Sequence, residues 1–318
     1  MLCLLRLEKS KKNLVVFEAE NLSHLMYESF MIQVHENQKV SSRRGYAMIL
    51  MLIGSITISF AGLAIRNIEI ADNFQINFYR AIAFGFSVSI ILFIRHGKTA
   101  PSKIKGIGLQ GILAATFLAI ASISFLQAIT NTTVAATTFT LSFIPFLTAI
   151  MAWLVLGERI GKSTILTMGI AGIGISIMFF QGLGSGTLYG NVMAFFCAFG
   201  FSSYAIMIRR NRKSEMLPTL ILSNLIIMFA ALIYTWDDLK ISWNDLIICF
   251  VIGGFLQATA NTLLILASKH LFAAELTLFM LLEFTLGPIW VWVFINEVPS
   301  SWTLVGGSIV TFSVLVKT

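Results

Sequence analysis

Ten apolar stretches, separated by short polar gaps, constrain the fold of this chain more than any other feature of its sequence. Each stretch is roughly 16 to 25 residues long, which is the length of helix that crosses the hydrocarbon core of a bilayer. Charged residues make up only 12% of the chain, whereas soluble domains carry about 25%. Because a water-soluble surface could not be built from so few charges, the sequence predicts an all-α membrane protein with ten transmembrane helices.

The predicted spans leave a distinct segment at the start of the chain. The spans cover residues 47–65, 76–94, 109–129, 134–156, 163–180, 189–208, 217–235, 246–268, 271–295 and 302–316. Residues 1–44 mix charged and apolar side chains and are predicted to form a polar cytoplasmic tail. The rest of the chain is predicted to contain two five-helix units, 45–181 and 186–318.

Basic residues in the gaps predict the orientation of the spans, because Lys and Arg favour the cytoplasmic side of a membrane protein. If the tail is cytoplasmic, the gaps on its side of the membrane hold fourteen basic residues, whereas the opposite gaps hold only Arg66 and Lys240. This alternation predicts a multi-pass protein of the inner membrane with both termini in the cytoplasm.

The two five-helix units resemble each other when the first is shifted by 139 positions. Trp153 then aligns with Trp292, and Glu158 aligns with Glu297. Chance similarity in a biased composition is the alternative interpretation. Units with an odd number of helices insert with opposite orientations, and inverted repeats of this kind are a hallmark of secondary transporters. The sequence therefore predicts two inverted five-helix repeats.

The region from Phe125 to Gly182 carries several helix features in a fixed order. They are Ala135 and Ala136 at a helix entry, Pro145 within the helix, Trp153, the helix end Leu156–Arg159, and Gly169, Gly172 and Gly174 in the next helix. In this order they resemble the signature of the drug/metabolite transporter superfamily, EamA type. The second unit departs from this pattern, since Phe284 stands in place of Pro145 and Asn296 in place of Gly157.

The resemblance implies ten helices in two inverted halves that give alternating access to a central cavity. Members of the family mostly export small metabolites such as amino acids, so export of such a compound is the expected function. Uptake of S-adenosylmethionine or of a nucleotide-like metabolite is the alternative within this class. A membrane-embedded enzyme or a channel is the alternative from another class.

Three charged residues fall inside the predicted spans, where an ionised side chain is costly and usually faces a cavity or a partner. They are Arg80, Glu275 and Glu283. We hypothesise that Arg80 and Glu283 line the central cavity and bind the two ends of a zwitterionic substrate, or that Glu283 is a proton-coupling carboxylate. The structural alternatives are that Arg80 reaches the outer interface and that Glu283 makes a hydrogen bond between helices.

Polar residues in the predicted third and eighth spans form a second set of candidates for substrate binding. They are Gln127, Asn131, Gln257 and Asn261. Gln257 and Asn261 are four residues apart and therefore share one helix face. Hydrogen bonding between helices, worth about 1 kcal/mol or less per contact, is the alternative role for the whole set.

Two prolines and two glutamates in corresponding helices are candidates for hinges and gates. Pro145 and Pro288 each remove a backbone hydrogen bond and should bend their helices. Glu158 and Glu297 stand at helix ends on opposite predicted faces of the membrane. Plain structural kinks and solvated interface residues are the alternatives for these four positions.

The remaining residues predict a protein without an enzymatic site, a cofactor or a metal ion. None of the four histidines falls in the middle of a span, and no metal-binding, nucleophile or nucleotide-binding motif occurs in the required context. The formal charge of +7 comes from the basic gaps, so it does not indicate a nucleic-acid partner. The expected partners are a small-molecule substrate and the lipid bilayer. Two questions remain open: whether a proton or another ion is coupled to transport, and whether the protein is a monomer or a homodimer.

Overall fold

The structure is a computed structural model that describes residues 43–132, 134–179, 187–296 and 301–317. The chain divides into two units, Met1–Tyr46 and Ala47–Thr318. Of the first unit only residues 43–46 are described, and they are helical. The rest of the predicted tail lies outside the described residues, as does Glu297.

The described residues form helices joined by short loops and turns, and they contain no β-strand. In chain order the helices are α1 (Arg43–Ile65), α2 (Asn73–His96), α3 (Gly108–Asn131), α4 (Val134–Leu141 and Ile144–Leu156), α5 (Lys162–Phe179), α6 (Leu188–Arg210), α7 (Leu217–Thr235), α8 (Trp243–Ala267), α9 (Ala273–Ile295) and α10 (Ser301–Lys317). A short helix, Ala100–Lys105, lies between α2 and α3.

Eight of these helices are long and apolar enough to cross a membrane, namely all except α5 and α10. The apolar parts of α5 and α10 are shorter and cover Lys162–Met178 and Ser301–Val316. The structure therefore confirms that the described part of the chain is all-helical and contains multiple helices of membrane-spanning length. That α5 and α10 also cross the membrane, which would complete the predicted ten spans, stays a prediction.

Four of the long helices, α1, α4, α8 and α9, are interrupted along their length. A turn at Phe60 divides α1, and α4 breaks between Leu141 and Ile144, so that Pro145 stands in the first turn of a new segment. Proline suits this position because the first turn of a helix does not use its N–H groups. In α9 the helix is interrupted at Met280, and Pro288 lies inside the segment that follows.

The interruption of α8 is a π-helix over Val251–Gln257, between α-helical segments at Trp243–Phe250 and Ala258–Ala267. A π-helix inserts extra residues per turn and occurs mainly in short pieces, frequently at functional sites. The sequence did not predict this feature, because no proline or charge marks it.

Helices α4 and α9 end in the same way. Gly157 follows α4 with a φ of 66°, and Asn296 follows α9 with a φ of 60°, both in the left-handed conformation. After glycine, asparagine is the residue that most often occupies this position at the end of a helix. The second unit therefore has Asn296 where the first has Gly157, but the backbone conformation at this position is the same.

The most extensive helix contacts pair α3 with α6, α5 with α10, and α2 with α7. Glycines permit the closest approaches. A Cβ atom at Gly306 of α10 would lie 2.2 Å from the carbonyl oxygen of Gly174 of α5, and one at Gly200 of α6 would lie 2.8 Å from the carbonyl oxygen of Phe117 of α3. Close backbone approach at small residues is typical of helix packing in membranes.

Candidate functional site

Arg80 is a buried cation within α2, about 10 Å along the helix from its first residue at 1.5 Å per residue. The residue is only 4% exposed. Its Nη2 donates to the Asn77 side-chain oxygen and to the Ser122 hydroxyl, both at 2.7 Å. Asn77 precedes Arg80 by one turn and Ser122 lies on α3, so the two bonds hold the guanidinium between α2 and α3.

Both hydrogen-bond partners of Arg80 are neutral, and no carboxylate among the described residues forms an ion pair with it. A guanidinium has five N–H donors, and a buried charge is normally paired because its desolvation is costly. Arg80 is therefore held in place while its charge remains available to an anionic group.

The π-helix of α8 packs directly against Arg80. A Cβ atom at Gly253 would lie 2.1 Å from the Arg80 carbonyl oxygen and 2.9 Å from its Cγ. One turn earlier on α8, the buried Cys249 packs in a cluster with Ile76 of α2 and Leu126 of α3. Three helices, α2, α3 and α8, thus enclose this part of the site.

Glu283 lies in the first turn of the second segment of α9, three residues after the interruption at Met280. The residue is half-buried. Its carboxylate makes no hydrogen bond or ion pair with any described residue, but it is close enough to Cys197 of α6 to interact with it electrostatically. The next residue, Phe284, packs on a cluster that includes Cys197 and Ile144. Glu283 therefore lies where α9 meets α4 and α6.

No hydrogen bond or ion pair joins Arg80 to Glu283 within the described part of the chain. Arg80 belongs to the contacts of α2, α3 and α8, whereas Glu283 belongs to those of α9, α4 and α6. The hypothesis that both residues line one cavity therefore stays a prediction.

Glu275, the third charged residue predicted in a span, lies in the first turn of α9 and is buried. Its side chain accepts a hydrogen bond of 3.2 Å from the backbone N–H of Phe272. Such a contact satisfies an N–H group at the start of the helix, and a negative charge is favourable there. The geometry thus gives Glu275 a structural role at the beginning of α9.

The polar pairs of α3 and α8 each form a hydrogen bond within their own helix. Asn131 donates to the Gln127 carbonyl oxygen at 2.8 Å, and Asn261 donates to the Gln257 carbonyl oxygen at 3.1 Å. Asn131 ends α3 and is exposed, whereas the Asn261 side-chain oxygen is buried.

Several buried side-chain oxygens have no hydrogen-bond partner among the described residues. They belong to Ser55, Thr137, Thr148, Tyr204, Asn261 and Thr262. Buried polar groups are normally hydrogen-bonded, so these oxygens are candidates for contact with a polar solute. They lie on α1, α4, α6 and α8.

Glu158, predicted as a gating residue, forms a buried ion pair with Arg209 at the end of α6. The Arg209 Nε donates to the Glu158 Oε1 at 2.7 Å, and Nη1 of the same guanidinium donates to the Ser268 carbonyl oxygen at 2.9 Å. The Glu158 Oε2 accepts a hydrogen bond of 3.3 Å from the backbone N–H of Ala273, and the guanidinium lies 5.4 Å from the ring centre of Phe272. We call this group of contacts the Arg209 latch; it joins the ends of α4, α6 and α8 to the start of α9.

A second group of contacts lies at the other end of α8, around Asp245. Its two carboxylate oxygens accept hydrogen bonds from the backbone N–H groups of Glu69, Ile70 and Ala71, at 2.9, 3.1 and 3.0 Å. The Ser242 hydroxyl accepts the Asp245 backbone N–H at 3.0 Å and fixes the first turn of α8. We call this the Asp245 latch; it joins the loop between α1 and α2 to the start of α8.

Two side chains of α2 extend the Asp245 latch to the loop between α7 and α8. The Gln75 amide donates to the carbonyl oxygens of Asp238, at 2.9 Å, and Lys240, at 3.2 Å. The Tyr79 hydroxyl donates to the carbonyl oxygen of Leu239. Neither Asp245 nor Arg209 could be selected from the sequence, because both lie near helix ends, where charged residues are common. Only the Ser242–Asp245 spacing, typical of a helix start, was visible.

Two apolar clefts stand out on the described surface. One has a volume of about 600 Å³ and lies between the break in α4, α5 and the start of α10, with Ser142, Phe146 and Trp302 among its lining residues. The other, of about 350 Å³, lies between α9 and α10 and includes Pro288. Neither cleft is lined by Arg80 or Glu283. The two buried charged residues therefore do not face either cleft.

The fold and the buried charges define a multi-pass helical membrane protein with polar groups held inside the bundle. Residues 45–180 match the model of the EamA-like transporter family. This part of the chain is therefore similar to the EamA-like transporter family, part of the drug/metabolite transporter superfamily, as its sequence features indicated. The family indicates a membrane transporter of small solutes.

The fold is also similar to that of a protein known from its crystal structure. The two share 14% sequence identity and a TM-score of 0.73, over 86% of this chain and 97% of that chain. Similarity at this level of identity concerns the fold alone. No curated protein matches the chain.

Proposed function

We propose that the protein is a secondary transporter that exports a small metabolite with a carboxylate group, such as an amino acid, across the inner membrane by alternating access. The observation that supports this most is Arg80, a buried guanidinium held by two neutral side chains inside the bundle. A transported anion would supply the countercharge that the described residues do not. A carboxylate fits the planar fork of the guanidinium.

Glu283 supplies the second part of the proposal. Its carboxylate makes no hydrogen bond within the described residues and stands beside a helix interruption. It either binds the ammonium group of a zwitterionic substrate or carries a coupling proton. Gln257 and Asn261 on α8 complete the polar lining, whereas Gln127 and Asn131 lie closer to the end of α3.

The proposed architecture is two inverted five-helix halves, α1–α5 and α6–α10. Helices with the same position in each half pack against each other, α2 with α7 and α5 with α10, as expected for a pseudo-two-fold axis between them. The matching left-handed residues Gly157 and Asn296 support the same relationship. The distribution of basic residues supports cytoplasmic termini.

In this mechanism the break of α4 beside Pro145 and the position of Pro288 within α9 act as hinges, and Glu158 acts as a gate. Glu297 is the proposed counterpart of Glu158 on the opposite face of the membrane. A broken helix bends at low cost where neighbouring groups satisfy its backbone.

Flux measurements with purified protein in liposomes test this function. Labelled amino acids are tested first, then nucleosides and S-adenosylmethionine, in both directions and with or without a pH gradient. We expect saturable exchange of a carboxylate-bearing solute by the wild-type protein and by a Lys98→Gln control, which removes an exposed positive charge. Arg80→Gln should lower the flux more than tenfold, because a hydrogen bond to a charged group is worth about 1.5 to 3 kcal/mol.

Arg80→Lys keeps the charge but loses the planar fork, so an intermediate loss is expected. Absence of exchange for every solute class would contradict the proposed function. Exchange by Arg80→Gln at the wild-type rate would contradict the role of Arg80 alone.

A further inference from the structure

The Arg209 latch and the Asp245 latch lie at opposite ends of one helix. Asp245 stands in the first turn of α8, and the Ser268 carbonyl oxygen that binds Arg209 stands just beyond its last turn. The two positions are about 35 Å apart at 1.5 Å per residue, slightly more than the roughly 30 Å thickness of the hydrocarbon core of a bilayer. α8 therefore carries one latch near each surface of the membrane.

Each latch joins a residue of the first five helices to a residue of the last five. At one end, Asp245 of α8 binds the backbone of the loop between α1 and α2. At the other end, Glu158 after α4 binds Arg209 of α6 and the first N–H of α9. The Gln75 and Tyr79 contacts belong to the Asp245 latch. Other polar contacts also cross between the two groups at the bundle ends, namely His96 with Glu215 at 3.0 Å and Thr132 with Asn191 at 3.0 Å.

The chemistry of the Asp245 latch suits a contact that opens and closes. The carboxylate is buried beneath the loop and binds the loop's backbone N–H groups instead of a cation, whereas Glu69 and Ile70 of the loop are exposed. When the loop moves away, both partners reach water, and bonds to water offset most of the free energy of the bonds that are lost. The latch can thus be specific in geometry and still reversible.

We propose that Asp245 and the backbone of Glu69–Ala71 form the gate at one face of the membrane, and that the Arg209 latch is its alternating counterpart at the other face. The proposal rests on the alternating access proposed above and adds the gate residue Asp245 to it. Both latches are formed in this structure. Opening of one latch separates the two groups of helices at that end while the other latch remains closed.

Cys249 is a native reporter for the Asp245 latch. It lies one turn into α8 from Asp245, is fully buried, and packs beneath the latch with Ile68, Ala71 and Ile241. Opening of the latch removes the covering loops and exposes its thiol to a small charged reagent. The rate of Cys249 modification, read by site-resolved mass spectrometry, measures the latch without any knowledge of the substrate.

The first experiment compares Asp245→Asn with Asp237→Asn in the full-length protein in liposomes, using a cationic methanethiosulfonate reagent. Asp237 is exposed, lies in the neighbouring loop, and its side chain makes no hydrogen bond with described residues, so it controls for the lost charge. We expect Asp245→Asn to accelerate Cys249 modification about tenfold or more, since the amide replaces an acceptor of charged hydrogen bonds. Asp237→Asn should react at the wild-type rate. Equal rates in both variants would overturn the proposal.

The second experiment compares a single folded variant with and without a cross-link, so a difference in transport cannot come from misfolding. Glu69 and Asn244 are exposed, and their side chains approach to 3.3 Å, so Glu69→Cys/Asn244→Cys can be bridged by a bis-methanethiosulfonate cross-linker that reductant cleaves. The bridge should stop transport of the solute found in the flux assay, and cleavage should restore it. Undiminished transport by the bridged protein would overturn the gate.

The two readouts separate failure of the gate from failure of the proposed function. If no solute is transported but Asp245→Asn exposes Cys249, the latch opens as proposed and the transport function is wrong. If transport persists while Cys249 reacts equally in all variants and the bridge has no effect, the gate is wrong and the function stands.

Discussion

The Arg209 guanidinium donates to the Glu158 carboxylate across 2.7 Å, and both side chains are largely buried, at 7% and 14% exposure. This ion pair lies at the end of the bundle where α4, α6, α8 and α9 meet. An ion pair in such a place is costly to leave half-formed, because removal of one partner leaves a buried charge without its countercharge.

Arg209→Gln is therefore expected to lower the stability of the purified protein by about 3 kcal/mol or more, whereas Arg210→Gln should have little effect. Arg210 is the next residue on α6 and is exposed. Thermal unfolding in detergent measures the difference. The double variant Glu158→Gln/Arg209→Gln should recover part of the loss, because no charge is then left unpaired. Equal melting temperatures for Arg209→Gln and Arg210→Gln would show that the pair contributes nothing.

Gly253→Ala is expected to disrupt the packing of the π-helix against α2. Its Cβ atom would lie 2.1 Å from the Arg80 carbonyl oxygen, which is backbone and cannot move aside cheaply. Overpacking in a core costs about 1 to 3 kcal/mol, and a clash with backbone belongs at the upper end. The control is Gly254→Ala, whose closest neighbour is the movable Ser87 hydroxyl at 3.1 Å. The melting temperature should fall for Gly253→Ala only; an equal fall for both would refute this packing.

Substitutions of Glu275 distinguish a structural role of this residue from a role in solute binding. Glu275→Gln keeps an acceptor for the Phe272 N–H group and should preserve both folding and transport, since glutamine also serves in this position. Glu275→Ala should lose about 1 kcal/mol of stability, a typical loss for a helix cap. Melting curves and flux in liposomes measure both effects. Loss of transport in a stably folded Glu275→Gln variant would instead indicate that the charge contacts the solute.

Glu283→Gln separates proton coupling from solute binding. If Glu283 carries the coupling proton, the variant should still exchange labelled solute across the membrane but should no longer accumulate it in response to a pH gradient. If Glu283 binds the ammonium group of the solute, exchange should also fall. Wild-type accumulation and exchange in the variant would remove Glu283 from the mechanism. Thr285→Ala, two residues along the same helix and outside the proposed lining, serves as the control.

Much of the fold was predictable because apolar length and basic gaps are direct consequences of the bilayer. The predicted span 217–235 coincides with α7, Leu217–Thr235, since Pro218 marks its start and polar residues follow its end. The interruptions in α1, α8 and α9 were not predicted. A π-helix and a turn inside an apolar run depend on packing between distant helices, as at Gly253 and Arg80, and leave no local signal.

The candidate site was predictable only in part, for a related reason. Arg80 and Glu283 stood out because a charge inside an apolar run is costly. The hydrogen-bond partners of Arg80 did not stand out, since Ser122 and Asn77 are ordinary polar residues in helices. Asp245 and Arg209 lie at helix ends, where a charge is common, and their roles follow from residues more than fifty positions away.

The central claim is that the two five-helix halves have opposite orientations in the membrane. Thiol labelling from one side of the membrane tests this claim most directly. Lys103, between α2 and α3, and Asp237, between α7 and α8, are both exposed and can each be replaced by cysteine in a variant lacking the native cysteines. A membrane-impermeant thiol reagent is then applied to intact cells and to permeabilised cells. We expect label at position 237 in intact cells and at position 103 only after permeabilisation. Label at both positions from the same side would contradict two inverted halves.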